Sequence, residues 1–66
     1  MDLECIMESI LKERGIKKGF VARKAGISLT TMTLLSKGKS LPTLPVAFRI
    51  AEVLEMRIEE IWIKKN

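Results

Sequence analysis

Between Glu13 and Glu52 the chain has no aspartate or glutamate, and this stretch carries Arg14, Lys17, Lys18, Arg23, Lys24, Lys37, Lys39 and Arg49. Ammonium and guanidinium groups are donors without acceptors, so their chemistry is to hold anions. Residues 1–13 sum to −3, residues 14–51 to +8 and residues 52–66 to −1, so the net +4 understates the segregation. A field of one sign over part of a small domain has the nucleic-acid backbone as its commonest rigid partner. Within the stretch, Ser28, Leu29, Thr30, Thr31, Thr33 and Leu34 add hydroxyls and methyls without charge.

Other chemistries lack their parts. There is no His and no Tyr, and no phosphate-binding Gly loop or paired carboxylates in an apolar setting, so no enzyme is expected. Cys5 is the sole cysteine, which leaves no intrachain disulfide and no zinc set, and no metal or cofactor is expected. Asp2 and Glu4 are the wrong charge for a secretory leader, and no apolar run approaches the roughly 18 residues of a membrane span. The expectation is a cytoplasmic protein with no membrane and no small-molecule substrate.

The elements that position these residues follow from periodicity. With 66 residues, 47% of them hydrophobic, the chain has room for one domain and one core. Leu3, Ile6, Met7, Ile10 and Leu11 fall on one stripe of a helix from about Asp2 to Arg14, stopped by Gly15. Cys5 is expected at the edge of that stripe. A short second helix, from Lys17 or Lys18 to Ala25, turns Val21, Ala22 and Ala25 to one face and ends at Gly26. Ser28 caps a third helix, Leu29 to about Lys37, with Met32 and Leu35 inward and Leu29, Thr30, Thr31, Thr33, Leu34 and Ser36 on its other faces.

Lys39 to Pro42 reads as a loop. Thr43 caps a fourth helix with Pro45 in its first turn, and Leu44, Ala47, Phe48, Ile50, Ala51, Val53 and Leu54 give it apolar area on more than one face. Ile58, Ile61 and Trp62 mark a fifth helix, and residues 64–66 a polar tail. Without an alternating strand pattern, the fold class expected is all-α.

Helices 2 and 3 match a helix-turn-helix over about residues 17–37. Two helices crossing steeply need small residues at their closest approach, and Ala22, the Ala25-Gly26 turn, Ile27 at the corner and Met32 and Leu35 beneath supply them. Together with Gly15-Ile16, Gly26-Ile27-Ser28, Gly38-Lys39, Pro42, Ile50-Ala51 and Ile61-Trp62, the pattern resembles the lambda-repressor and Cro-like domains of the xenobiotic-response-element type. The resemblance covers nearly the whole chain. It departs at Lys17-Lys18, where Thr-Gln is usual, at Ser36, where Glu is common, and at Glu55 and Arg57, where a Gly stop and a Ser cap are usual.

The resemblance implies a compact five-helix domain whose third helix enters the major groove of double-stranded DNA. It places Leu29, Thr30, Thr33 and Leu34 at base-reading positions, where methyls and hydroxyls suit thymine methyls better than bidentate purine contacts. It places Lys17, Lys18, Ser28, Thr31, Lys37 and Lys39 on phosphates. Arg23 and Lys24 fit a solvated helix face as readily as a contact, and Phe20 is expected to cover the end of the first helix. A single recognition helix reads few base pairs, so a homodimer is expected through Ile58, Trp62 and Ile63, with Trp62 also read as a core plug. The function this implies is a sequence-specific regulator, a repressor of phage, plasmid or mobile-element type on a palindromic operator. The alternative class is an antitoxin-like or co-regulator module that uses the same fold to bind protein.

Overall fold

Across the described residues, 2–65, the computed structural model has helices α1 (Met7–Arg14), α2 (Lys18–Ala25), α3 (Leu29–Ser36), α4 (Leu44–Leu54) and α5 (Ile58–Ile61), with strands β1 (Leu3–Cys5) and β2 (Trp62–Lys64). The core gathers one side of each helix: Met7, Ile10 and Leu11 from α1, Val21, Ala22 and Ala25 from α2, Met32 and Leu35 from α3, Ala47, Ile50, Ala51 and Leu54 from α4, and Ile61 from α5. On α4 the buried four fall at i, i+3, i+4 and i+7, the stripe that faces a core. α2 packs against both α3 and α4, so the helix-turn-helix is seated on the longest helix.

Helices α1, α2, α3 and α4 end in one motif. Beyond α2 the N–H of Ile27 bonds the carbonyl of Ala22 at 3.0 Å and that of Gly26 bonds Arg23 at 3.3 Å, with Gly26 left-handed at φ 74°. Ile16, Lys39 and Met56 make the equivalent longer bond beyond the other three. This double bond satisfies carbonyls that a helix end leaves unpaired. At the fourth site the left-handed residue is Glu55, at φ 55°, and it is the positive-φ residue other than Gly among the described residues.

The sequence reading needs correction at both chain ends. α1 starts at Met7 rather than Asp2, and residues 3–5 form a strand, so Asp2 and Glu4 are not in a helical first turn. Leu3 pairs Lys64, Glu4 pairs Ile63 and Cys5 pairs Trp62 in an antiparallel ladder, flanked by Ile6 N–H to Ile61 at 3.0 Å and Lys65 N–H to Asp2 at 3.0 Å. The domain is therefore mostly helical with a small two-stranded sheet rather than all-α. Trp62 and Ile63 are strand formers, but the pairing lies about sixty residues away in sequence, beyond what local periodicity reports. Lys64 belongs to the strand and not to a polar tail; Asn66, the tail's last residue, lies outside the described residues.

Four further positions are informative. Leu44 and Phe48, part of the apolar area expected on more than one face of α4, lie off the core face and are 66% and 56% exposed. Ser36, expected on an outer face of α3, is buried, and its Oγ donates to the carbonyl of Thr33 at 3.0 Å. Trp62 is the core plug expected, but on β2 and not α5, and its buried Nε1–H has no partner among the described residues.

Candidate nucleic-acid interface

Ser28 sets where α3 begins. Its Oγ accepts the N–H of Thr31 at 3.0 Å, which caps the helix, and its hydroxyl lies 3.0 Å from Thr31 Oγ1. If the Ser28 hydroxyl donates into that contact, the Thr31 hydroxyl keeps its own hydrogen for an acceptor outside the chain. Leu29, Thr30, Thr33 and Leu34, at i, i+1, i+4 and i+5, then share one side of α3, opposite the buried Met32 and Leu35. Leu29 is 56% and Leu34 41% exposed, Thr30 is exposed and Thr33 half-buried. That side is a surface of methyls and hydroxyls with no charge on the helix.

Charge comes from the turns at either end. Lys37 and Lys39 are exposed on the segment that closes α3, and Lys17 is exposed at the N-cap of α2. Lys17 has no capping side chain, so the first-turn N–H groups of α2 have no side-chain acceptor. A helix start in that condition favours an anion. Lys17 thus stands at the start of α2, Ser28 and Thr31 at the start of α3, and Lys37 and Lys39 just beyond its end.

Two basic residues of the acid-free stretch are engaged within the chain. Arg14 Nη1 donates to the carbonyl of Leu54 at 2.6 Å, tying the end of α1 to the end of α4. Lys18 Nζ meets Glu8 Oε2 at 3.2 Å, so α1 brings a carboxylate to a surface that is free of acid in sequence. Neither partner was legible locally, because both contacts join separate helices. Arg23 and Lys24 stand over the Phe20 ring, 5.9 and 5.8 Å from its centroid, and Phe20 itself remains 42% exposed. The stacking holds both cations over α2's outer face.

The remaining chemistry is quiet. Cys5 is half-buried on β1; burial pushes its thiol above the ordinary value, outweighing the Met7 N–H that favours the thiolate, and Glu8 adds to the rise. It is correspondingly a poor nucleophile. No group of three or more potential metal ligands occurs among the described residues. No helix there is long and apolar enough to cross a membrane.

A model of the Cro/C1-type helix-turn-helix DNA-binding domain matches residues 7–63, which include α1 through α5 and part of β2. The chain belongs to this family. An uncharacterized HTH-type transcriptional regulator of Archaeoglobus fulgidus is 39% identical over 49 residues, which cover 74% of this chain and 70% of the relative. One of Methanocaldococcus jannaschii is 42% identical over 46 residues, 70% of each chain. The Cro/C1-type domain described here is the DNA-binding domain of a transcriptional regulator, and its partner class is double-stranded DNA. In this Cro/C1-type domain the family match leaves out residues 1–6, where the helix expected from the sequence is replaced by β1.

Proposed function

We propose that the domain binds a palindromic operator as a dimer and represses transcription by occupying that DNA. Leu29, Thr30, Thr33 and Leu34 read bases, and Lys17, Ser28, Thr31, Lys37 and Lys39 hold phosphates, with Lys18 joining them once it is released from Glu8. The observation that carries this reading is α3 itself, which presents 56% of Leu29 and 41% of Leu34 to solvent beside Thr30. Exposed leucines on a helix cost solubility, and the major groove offers thymine C5-methyls that would bury them. Repression needs no surface beyond the one that holds DNA. Dimerisation follows from reach, because one helix spans few base pairs and two-fold half-sites lie about one helical turn apart.

Selection from random duplex DNA tests the reading in one experiment. The expected product is a pair of inverted, thymine-containing half-sites with centres about 10 base pairs apart. Half-sites of G·C alone would overturn the methyl reading, and a single unrepeated site would overturn the dimer.

A further inference from the structure

Four exposed residues share one face of α2: Gly19, Phe20, Arg23 and Lys24, at i, i+1, i+4 and i+5, opposite the buried Val21, Ala22 and Ala25. None of them belongs to the base-reading or phosphate-holding sets of the preceding reading. Phe20 is 42% exposed beneath Arg23 and Lys24, and neither cation has a carboxylate partner among the described residues. The face therefore holds two unneutralised charges around an aromatic ring that is only partly out of water.

Gly19 is the least expected member. A glycine weakens a helix relative to alanine, and Gly15, Gly26 and Gly38 are left-handed residues where helices end, whereas Gly19 is not. A Cβ at Gly19 would meet nothing within 4 Å. Neither the backbone conformation nor packing within the chain requires glycine there. What a bare backbone beside an exposed ring does offer is close approach by another molecule.

We infer that the outer face of α2 docks an acidic segment of a partner protein, with carboxylates on Arg23 and Lys24 and one apolar side chain lying over Gly19 against the Phe20 ring. The inference is independent of the dimer and of the operator. Charge and shape together select this occupant. A duplex backbone would satisfy the cations but gives the ring no apolar surface, since the methyls and base edges of DNA lie inside its grooves. A base of a single strand stacks on a ring face, and here the chain's own cations stand over the ring. An Asp- and Glu-rich segment with one Leu or Phe supplies charge-assisted bonds to both cations and apolar contact to the ring. The area is well below the standard of about 800 Å² per partner, so the complex is a weak and transient one.

Selection of displayed random dodecapeptides on the full chain, with counter-selection on Arg23→Glu/Lys24→Glu, tests this. The expected product is acidic peptides with one apolar residue among the carboxylates. Labelled copies of those peptides, followed by fluorescence anisotropy, should bind Phe20→Ala and Gly19→Gln at least about tenfold more weakly than the wild type. Gly19→Gln leaves the ring and both charges in place and adds a better helix former, so its loss reads close approach and not charge or folding; cooperative melting verifies the other variants. Failure to enrich acidic peptides, or equal binding to the wild type and Gly19→Gln, overturns the inference. Variants that lose affinity for a thymine dodecamer or a random duplex, and keep it for the peptides, assign the face to nucleic acid and overturn it as well.

Discussion

In the proposed reading Leu29 and Leu34 pack against thymine methyls, which makes their contribution separable from that of every polar contact. Replacing thymine by uracil in a selected site removes the C5-methyl and leaves the hydrogen-bonding edge intact. Each methyl buried is worth about 0.8 kcal/mol, or roughly fourfold in affinity. Uracil at the contacted positions should therefore weaken the wild type about fourfold per methyl and leave Leu29→Ala or Leu34→Ala indifferent at its own position. Equal weakening of wild type and variants, measured by fluorescence anisotropy, would mean that the leucines face something else. Thr33, half-buried beneath them, should contribute less than Thr30.

At the scale of elements, the ends of the helices decide where each surface points. Gly26 takes a left-handed conformation that allows α3 to leave α2 at a steep angle, and space around it is open, so only the backbone resists a side chain there. The end of α4 has the same bonds with Glu55 in Gly's place, held left-handed by the N–H bonds of Glu55 to Glu52 and of Met56 to Ala51. A left-handed residue with a Cβ is strained by about 1 kcal/mol or more. Glu55→Gly should stabilise the domain by about 1 kcal/mol, less whatever the freer unfolded chain takes back, read as a shift in the urea midpoint at constant slope. The stop at this position was legible in the sequence as a missing Gly, and so were the glycine stops of α1, α2 and α3 and the caps Ser28 and Thr43, because all of these are local. The sheet was not, since Leu3 meets Lys64 only after the whole chain has folded between them. Nor was the fate of Phe48, whose apolarity shows that it prefers to leave water but not which surface it leaves water for.

The whole molecule, 31 by 23 by 19 Å, is too small for its surfaces to act independently, and the charge pattern that marks the chain is altered by its own fold. Eight basic residues separate from acid in sequence, yet Arg14 is bonded to the carbonyl of Leu54 and Lys18 is paired with Glu8. The basic stretch was legible; that Lys18 is paired with an acid and Arg14 bonded to a carbonyl was not, because α1 delivers Glu8 and α4 the Leu54 carbonyl from outside the stretch. Lys17, Lys37 and Lys39 remain without an ion-pair partner among the described residues. Three such phosphate contacts per subunit give six per dimer, and log affinity should fall against log salt with a slope of about −5, following roughly −0.9 per contact. Glu8→Gln releases both copies of Lys18, whose partly exposed pair with Glu8 is worth little on its own. With eight contacts the slope should steepen to about −7, with tighter binding at low salt. A slope that stays at its wild-type value would mean that Lys18 already exchanges Glu8 for phosphate on binding or points away from DNA, and a slope near zero in the wild type would take the phosphates out of the interface altogether.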